Sequence, residues 1–136
     1  MIGVKVSIDN YLPRLQPRID QANFRALRKA AGTIRLIARR SIREAPEGKP
    51  SLPGKPPRTR GRTQLRESVL YAVHPAGDEA VIGPSRSMIG PAGAAHEFGG
   101  EFRGDDYPAR PYMGPALSKA ASGGKLASNW RNSIKQ

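Results

Sequence analysis

The strongest constraint on the fold is a stretch with a clear hydrophobic period. From about Pro13 to Glu44, apolar side chains recur every three or four residues: Leu15, Ile19, Ala22, Ala26/Leu27, Ala30, Ile34, Ile37/Ala38 and Ser41/Ile42. That spacing places them on one stripe of an α-helix. Arg25, Arg28, Lys29, Arg35, Arg39, Arg40 and Arg43 take the other faces. Pro17 is expected to hold the regular helix back to about Ile19, and Pro46 to end it. Gly32, inside the pattern at a cost of about 1 kcal/mol relative to Ala, marks a bend or a close backbone contact.

The flanking segments carry a different signal. Ile2, Val4, Val6 and Ile8 alternate with Gly3, Lys5 and Ser7, the period of a half-buried strand, and Asp9-Asn10 supplies a turn. Residues 45–63 read APEGKPSLPGKPPRTRGRT, with five prolines and little to bury. This predicts an extended or mobile basic loop with polyproline character. Thr63 is placed to cap a short helical turn through Leu65, Arg66 and Glu67. Two β-like runs follow, 68–74 and 79–83, joined by Pro75-Ala76-Gly77-Asp78 as a hairpin turn. Ala94 to Gly100 predicts a short helix ended by glycine. Residues 101–114 are rich in turn formers, and a closing helix begins between Pro111 and Pro115 and runs through Met113, Ala116, Leu117, Ala120 and Ala121. Gly123-Gly124 breaks it, leaving 123–136 as a C-terminal tail.

These pieces make one domain over 1–136. Its expected class is α+β: a small antiparallel sheet, from the N-terminal strand and the hairpin, packed against one long N-terminal helix and a C-terminal helix. Hydrophobic residues are 38% of the chain and aromatics 6%, with 15 Gly and 13 Pro. The hydrophobic share lies below the roughly 45–50% of ordinary globular domains. A modest core completed by neighbouring subunits is therefore expected. With 23 Lys+Arg against 11 Asp+Glu, the formal charge is +12. Such a field favours polyanions or acidic surfaces and says nothing about fold. Zero cysteines exclude disulfides and thiolate metal sites. No apolar run approaches the roughly 20 residues a membrane helix needs, so no membrane partner is expected.

Ala95-His96-Glu97-Phe98-Gly99-Gly100 invites an enzymatic reading. A zinc-protease helix needs a second His four residues after the first, and that position is Gly100. A site built from His74, His96 and Glu97 or Asp105 is a weak alternative, and no Ser-His-Asp set has workable spacing. No catalytic residue, cofactor or metal is therefore expected. The structural reading has Phe98 anchoring the short helix on the core, Gly99 permitting a left-handed exit, and Glu97 pairing with a base such as Arg110.

Taken in order, the motifs resemble those of a known family. A basic helix is followed by a Gly/Pro/Arg-rich loop entering Arg58-Thr59…Leu65-Arg66-Glu67-Ser68-Val69, then a hairpin ending Ile82-Gly83-Pro84. Next come Ala95-His96-Glu97-Phe98-Gly99 and Pro108-Ala109-Arg110-Pro111-Tyr112-Met113…Pro115-Ala116-Leu117. This resembles the small neck, or tail-completion, proteins of long-tailed bacteriophages, over about Ile34 to Ala121. In that family a hydrophobic–His/Glu–Phe–Gly element precedes Pro-Ala-Arg-Pro-(aromatic)-(Leu/Met)-x-Pro-Ala-(Leu/Phe). The chain departs at the loop exit: the family's Arg-Thr-Gly-x-Leu-Arg-x-Ser-Ile is lengthened here by Arg60, Arg62 and Thr63.

The resemblance implies a virion subunit assembled in the host cytoplasm. It implies a homo-oligomeric ring, a hexamer or dodecamer, that joins heads to tails, and it does not imply catalysis. Expected partners are connector or stopper proteins and tail-terminator or tail-tube proteins, with non-specific contact to viral DNA. Lys49, Lys55, Arg58, Arg60, Arg62 and Arg66 are the candidate loop contacts to DNA or acidic protein, against the plainer reading of a solvated loop that keeps the subunit soluble. Glu97, Phe98, Arg110, Tyr112 and Met113 are the candidate intersubunit anchors, Arg110 offering a fork to a carboxylate. The stripe Arg28, Arg35 and Arg39 reads first as a solvated helix face. Two rival readings are a tail terminator capping the tail tube and, from another class, a free nucleic-acid-binding protein. The second lacks any recognised binding signature and has no aromatics among its basic runs.

Overall fold

A computed structural model describes residue 3 and residues 12–46, 49–60, 64–131 and 133. The alternating strand expected over 2–8, the Thr63 cap and Arg62 lie outside the described residues. The chain is α+β, as expected. Helix α1 spans Leu12–Ser41 and carries the other elements. It runs through Pro17 rather than starting after it. Side chains 13–21 are all exposed, so the hydrogen bond that proline removes is lost where no packing depends on it.

Burial on α1 begins at Ala22 and continues through Ala26, Ala30, Ile34, Ala38 and Ile42, each four residues from the last. At 3.6 residues per turn this ladder drifts about 40° per step, so the stripe winds around the helix. One partner cannot cover it. Its earlier part meets an antiparallel hairpin and its later part a second helix. Small alanines along the first half let the hairpin approach closely: Tyr71 reaches within 4.0 Å of a side chain built at Gly32, and the turn at Gly77 presses on Phe24. Gly32 thus marks a close contact.

Strands β1 (Arg43–Glu44) and β2 (Arg58–Thr59) form a short parallel pair that closes the Pro-rich loop at its base. Helix α2 (Gln64–Ser68) leads into β3 (Val69–Val73), which pairs with β4 (Ala80–Pro84) in the register Tyr71↔Ile82. Short helices α3 (Arg86–Ile89) and α4 (Ala92–Phe98) follow. Strands β5 (Gly100–Phe102) and β6 (Asp105–Tyr107) make a second small hairpin, where the sequence suggested only turns. Helix α5 (Met113–Ala121) returns across the C-terminal half of α1. Among the described residues the strands form three separate two-stranded ribbons, so the sheet is divided rather than single.

The core lies between α1, α2, β3 and α5: Ile34, Ala38, Ile42, Leu65, Val69, Tyr112, Ala116 and Ala120. Leu126 packs against it, and the Trp130 indole N–H donates to Asn23 Oδ1 at 2.7 Å, so the C-terminal stretch docks back on α1. Asn23 also donates to the Gly77 carbonyl, tying both to the hairpin turn. No helix among the described residues is long and apolar enough to cross a membrane.

Ile42 is 1% exposed at the end of the α1 ladder, where α2, β3 and α5 meet. Ile42→Ala should lower the free energy of unfolding by about 2–5 kcal/mol, seen as a reduced urea midpoint at unchanged slope.

Candidate interaction surfaces

The two C-terminal motifs meet in space through one carboxylate. Glu97, on the last turn of α4, accepts the backbone N–H groups of Tyr112 and Met113 on Oε2, both at 2.8 Å, and that of Gly114 on Oε1 at 2.8 Å. These are the free donors at the start of α5. The next residue, Pro115, has no N–H, and Ala116 N–H already reaches Tyr112 O. No side chain of α5's own caps it. Glu97 therefore satisfies the helix end completely and sets a negative charge against its positive dipole end. The expected Glu97–Arg110 pair is not what forms. Gly114 permits this geometry, since a Cβ there would lie 3.2 Å from Glu97 Oε1.

Around that joint the backbone is stitched further. Arg110 N–H donates to His96 O at 2.7 Å, and the Arg110 Nε–H to Ser51 O at 2.9 Å. Gly54 N–H donates to Ala109 O at 2.8 Å. The loop expected to be extended and mobile is thus pinned by the Pro-Ala-Arg-Pro segment, with Pro57 and Ser51 buried. Gly99 takes φ 71°, and any Cβ there would come within 2.7 Å of Ala109 N. Only glycine fits. Tyr112 is fully buried within the subunit, its hydroxyl 3.4 Å from Gly93 O, so it anchors the fold rather than a neighbour. Met113 is half-buried against the same core. Phe98, expected on the core, is 80% exposed. The motif places it at the last position of α4, and the Gly99 turn directs the chain away beneath it.

The helix arginines are also employed internally. Arg35 Nε and Arg39 Nε both donate to Val69 O, at 3.0 and 3.1 Å, and Arg39 Nη2 donates to Glu67 O at 2.7 Å. They close the carbonyl end of α2, and Arg35 also lies over the Tyr71 ring. Burial, then the neighbouring Arg35, lowers the Arg39 guanidinium from its ordinary pKa.

A cationic groove of about 990 Å³ opens between the C-terminal end of α1, the pinned loop and α5. Arg40, Arg43, Lys55, Arg58, Lys119 and Lys125 line it, with no carboxylate among its lining residues. Of the predicted loop contacts it gathers Lys55 and Arg58. Lys49, Arg60 and Arg66 are exposed but do not line it. The four further cations come from three other segments, which only the packing of α5 on α1 brings together. Part of this placement serves the fold, because cations at a helix C-terminus complement its dipole. In the wall sits Ser51, 6% exposed, whose hydroxyl has no hydrogen-bond partner among the described residues. Leu52 at the groove is 73% exposed.

A second exposed apolar surface is the outer face of the β3–β4 ribbon, where Leu70, Ala72 and Val81 all point outward. His74 stands at that ribbon's turn, 3.2 Å from Asp78. Among the described residues no group of three His, Asp or Glu side chains could hold a metal ion. No protein-family model, curated protein or solved structure matches the chain.

The joint makes two checks possible. Glu97→Ala should cost about 1.5–3 kcal/mol of stability, the range for hydrogen bonds to a charged group, and Glu97→Gln less, because the amide oxygen still accepts. Thermal unfolding followed by circular dichroism reads both. The pH dependence follows from the buried Tyr112 ring and the half-buried His96 ring. Burial, then the Glu97 charge, pushes the Tyr112 phenol up to about 12. Its contribution is fully present below the ordinary tyrosine value, near pH 10, and is lost as pH rises toward 12. Burial, then Arg110, lowers the His96 pKa, so its contribution is present above about pH 6.5 and falls as the solution is acidified below that. Tyr112→Phe should flatten the alkaline arm of a stability–pH curve, and His96→Gln the acid arm.

Proposed function

We propose that this chain is a structural subunit of a long-tailed phage particle, forming a ring at the neck or upper tail that completes the tail for head attachment. The observation that carries the reading is the order of the motifs, with Ala-His-Glu-Phe-Gly followed by Pro-Ala-Arg-Pro-Tyr-Met. The structure adds a physical reason for that pairing. Glu97 caps α5, Gly99 makes room for Ala109, and Arg110 holds the loop at Ser51, so both motifs serve one joint of a scaffold. A motif used this way builds a rigid body, with the Glu97 carboxylate spent on three backbone donors, which supports a structural role.

The exposed features suit assembly. Phe98, Leu52 and Val81 present apolar surface at 80%, 73% and 65% exposure, scattered over separate parts of the subunit. A subunit contacted from several sides in a ring has use for each. The cationic groove favours a second reading, a nucleic-acid-binding protein, because six cations without a carboxylate attract phosphate as readily as they attract acidic protein. Within the particle reading, the neck ring is preferred to a tail terminator on the motif order alone.

Mass spectrometry and cryo-electron microscopy of particles from cells expressing the chain's own virus decide the matter. A ring of this chain at the head–tail junction is the expected outcome. Particles that lack the chain altogether, with salt-sensitive binding of the purified protein to DNA, would overturn it in favour of the second reading.

A further inference from the structure

The groove is lined by cations with no carboxylate among them, and the β5–β6 hairpin is its counterpart in charge. Glu101, Asp105 and Asp106 are exposed on the hairpin, against Arg103 as its one cation. Arg103, at φ 55° in the turn, lies over the Phe102 ring with 5.2 Å between guanidinium and centroid, and so folds back on the hairpin. Glu101 and Asp106 are direct cross-strand partners. Like charges placed opposite each other on a two-stranded ribbon are destabilising. The isolated subunit therefore carries an exposed repulsion that external cations would relieve.

The groove carries the reverse imbalance. Six cations surround it, and the buried Ser51 hydroxyl in its wall lacks an acceptor among the described residues. A buried polar group left unpaired costs about 1–3 kcal/mol. Resting on the ring reading above, we propose that the β5–β6 hairpin of one copy seats in the cationic groove of the next, joining subunits head to tail. Glu101 and Asp106 meet Arg58, Lys119 and their neighbours. Phe98, at the hairpin's base, supplies the apolar contact to the exposed Leu52.

Geometry within one copy leaves both partners available. The hairpin packs against α4 and borders a different hollow, with Gln64 and Met88. None of the groove's lining residues comes from 98–107. A surface that fits a different surface on its neighbour gives a heterologous contact, which closes into a ring when the rotation allows. The lining also favours a peptide over single-stranded nucleic acid. Ile37, Pro50, Leu52, Pro56 and Pro115 interrupt the cations, and no aromatic ring is present on which a base would stack.

A charge swap tests this on the full-length chain. Glu101→Lys with Asp106→Lys reverses the hairpin; Arg58→Glu with Lys119→Glu reverses the two groove cations set opposite Glu101 and Asp106 and leaves Arg40, Arg43, Lys55 and Lys125 in place. All four side chains are exposed, so circular dichroism should match the wild type and the melting temperature should fall only slightly, through Lys119 in the last turn of α5. Sedimentation velocity at low salt should show a wild-type oligomer that dissociates as salt is added, because screening weakens exposed pairs. Each double variant alone should associate roughly a hundredfold more weakly. An equimolar mixture of the two should associate more tightly than either variant alone, since the swapped residues then meet with opposite charge at each interface. A hairpin variant that assembles like the wild type, a mixture that stays dissociated, or a wild-type chain that remains monomeric would each overturn the proposal. If only the groove variant loses binding to a short labelled DNA duplex, the groove belongs to nucleic acid instead. Particles that incorporate the hairpin variant normally would refute this interface while leaving the neck reading intact. Absence of the chain from particles would do the opposite.

Discussion

The carboxylate of Glu97 is the joint on which the C-terminal half of the molecule turns. Helix α5 begins after Pro108 and Pro111, on a segment that offers it no side-chain cap of its own. Left bare, its first donors would be partly buried and unpaired, beside a fully buried Tyr112. Glu97 reaches from α4 and takes all three. Fixing α5 fixes Ala116 and Ala120 in the core. Fixing the segment before it fixes the carbonyl of Ala109 and the guanidinium of Arg110, which in turn pin the loop at Gly54 and Ser51. Remote segments are held by a short list of charge-assisted or backbone bonds rather than by a large apolar core.

That economy follows from composition. The buried ladder of α1 is mostly alanine, so the helix contributes closeness more than volume. Alanine brings two elements near enough for side chains such as Asn23, Arg35 and Arg39 to reach backbone carbonyls across the gap. A core of larger residues would hold those elements farther apart and leave the carbonyls to water. Arg35 and Arg39, which read in the sequence as part of a solvated helix face, are in this way engaged as donors to the backbone of Glu67 and Val69.

What the sequence made legible were features set by local spacing. The helical stripe of α1, the β3–β4 hairpin, the glycine exit after α4 and the closing helix all depend on residues near one another in the chain, where periodicity and turn chemistry act. The errors fall where a residue's partner was distant or of unexpected type. Glu97 and Arg110 have opposite charges, so they invite pairing, but an exposed ion pair is worth little beside three backbone donors at a helix end. Phe98 reads as an anchor of its short helix on the core, although the sharp turn at Gly99 decides where that position faces. The Pro-rich loop buries few side chains, which suggested freedom, yet its backbone groups answer Ala109 and Arg110. The groove was only half visible, because Lys119 and Lys125 join Lys55 and Arg58 only once α5 lies across α1.

The residual charge then follows from position. Cations near Val69 are consumed inside the fold, whereas those at the α1 C-terminus, the pinned loop and α5 face one opening with no carboxylate lining it. Pinning the loop matters here, since a mobile Lys55 and Arg58 would average their field over solvent. Held by Ser51 and Gly54, they act from fixed positions beside Arg40 and Lys119, and a fixed field discriminates among partners better than a mobile one. The same Glu97 joint that ends the repulsion-prone hairpin's supporting helix also orders the wall of the groove. A single capped helix end thereby sets the relative placement of the acidic hairpin and the cationic groove.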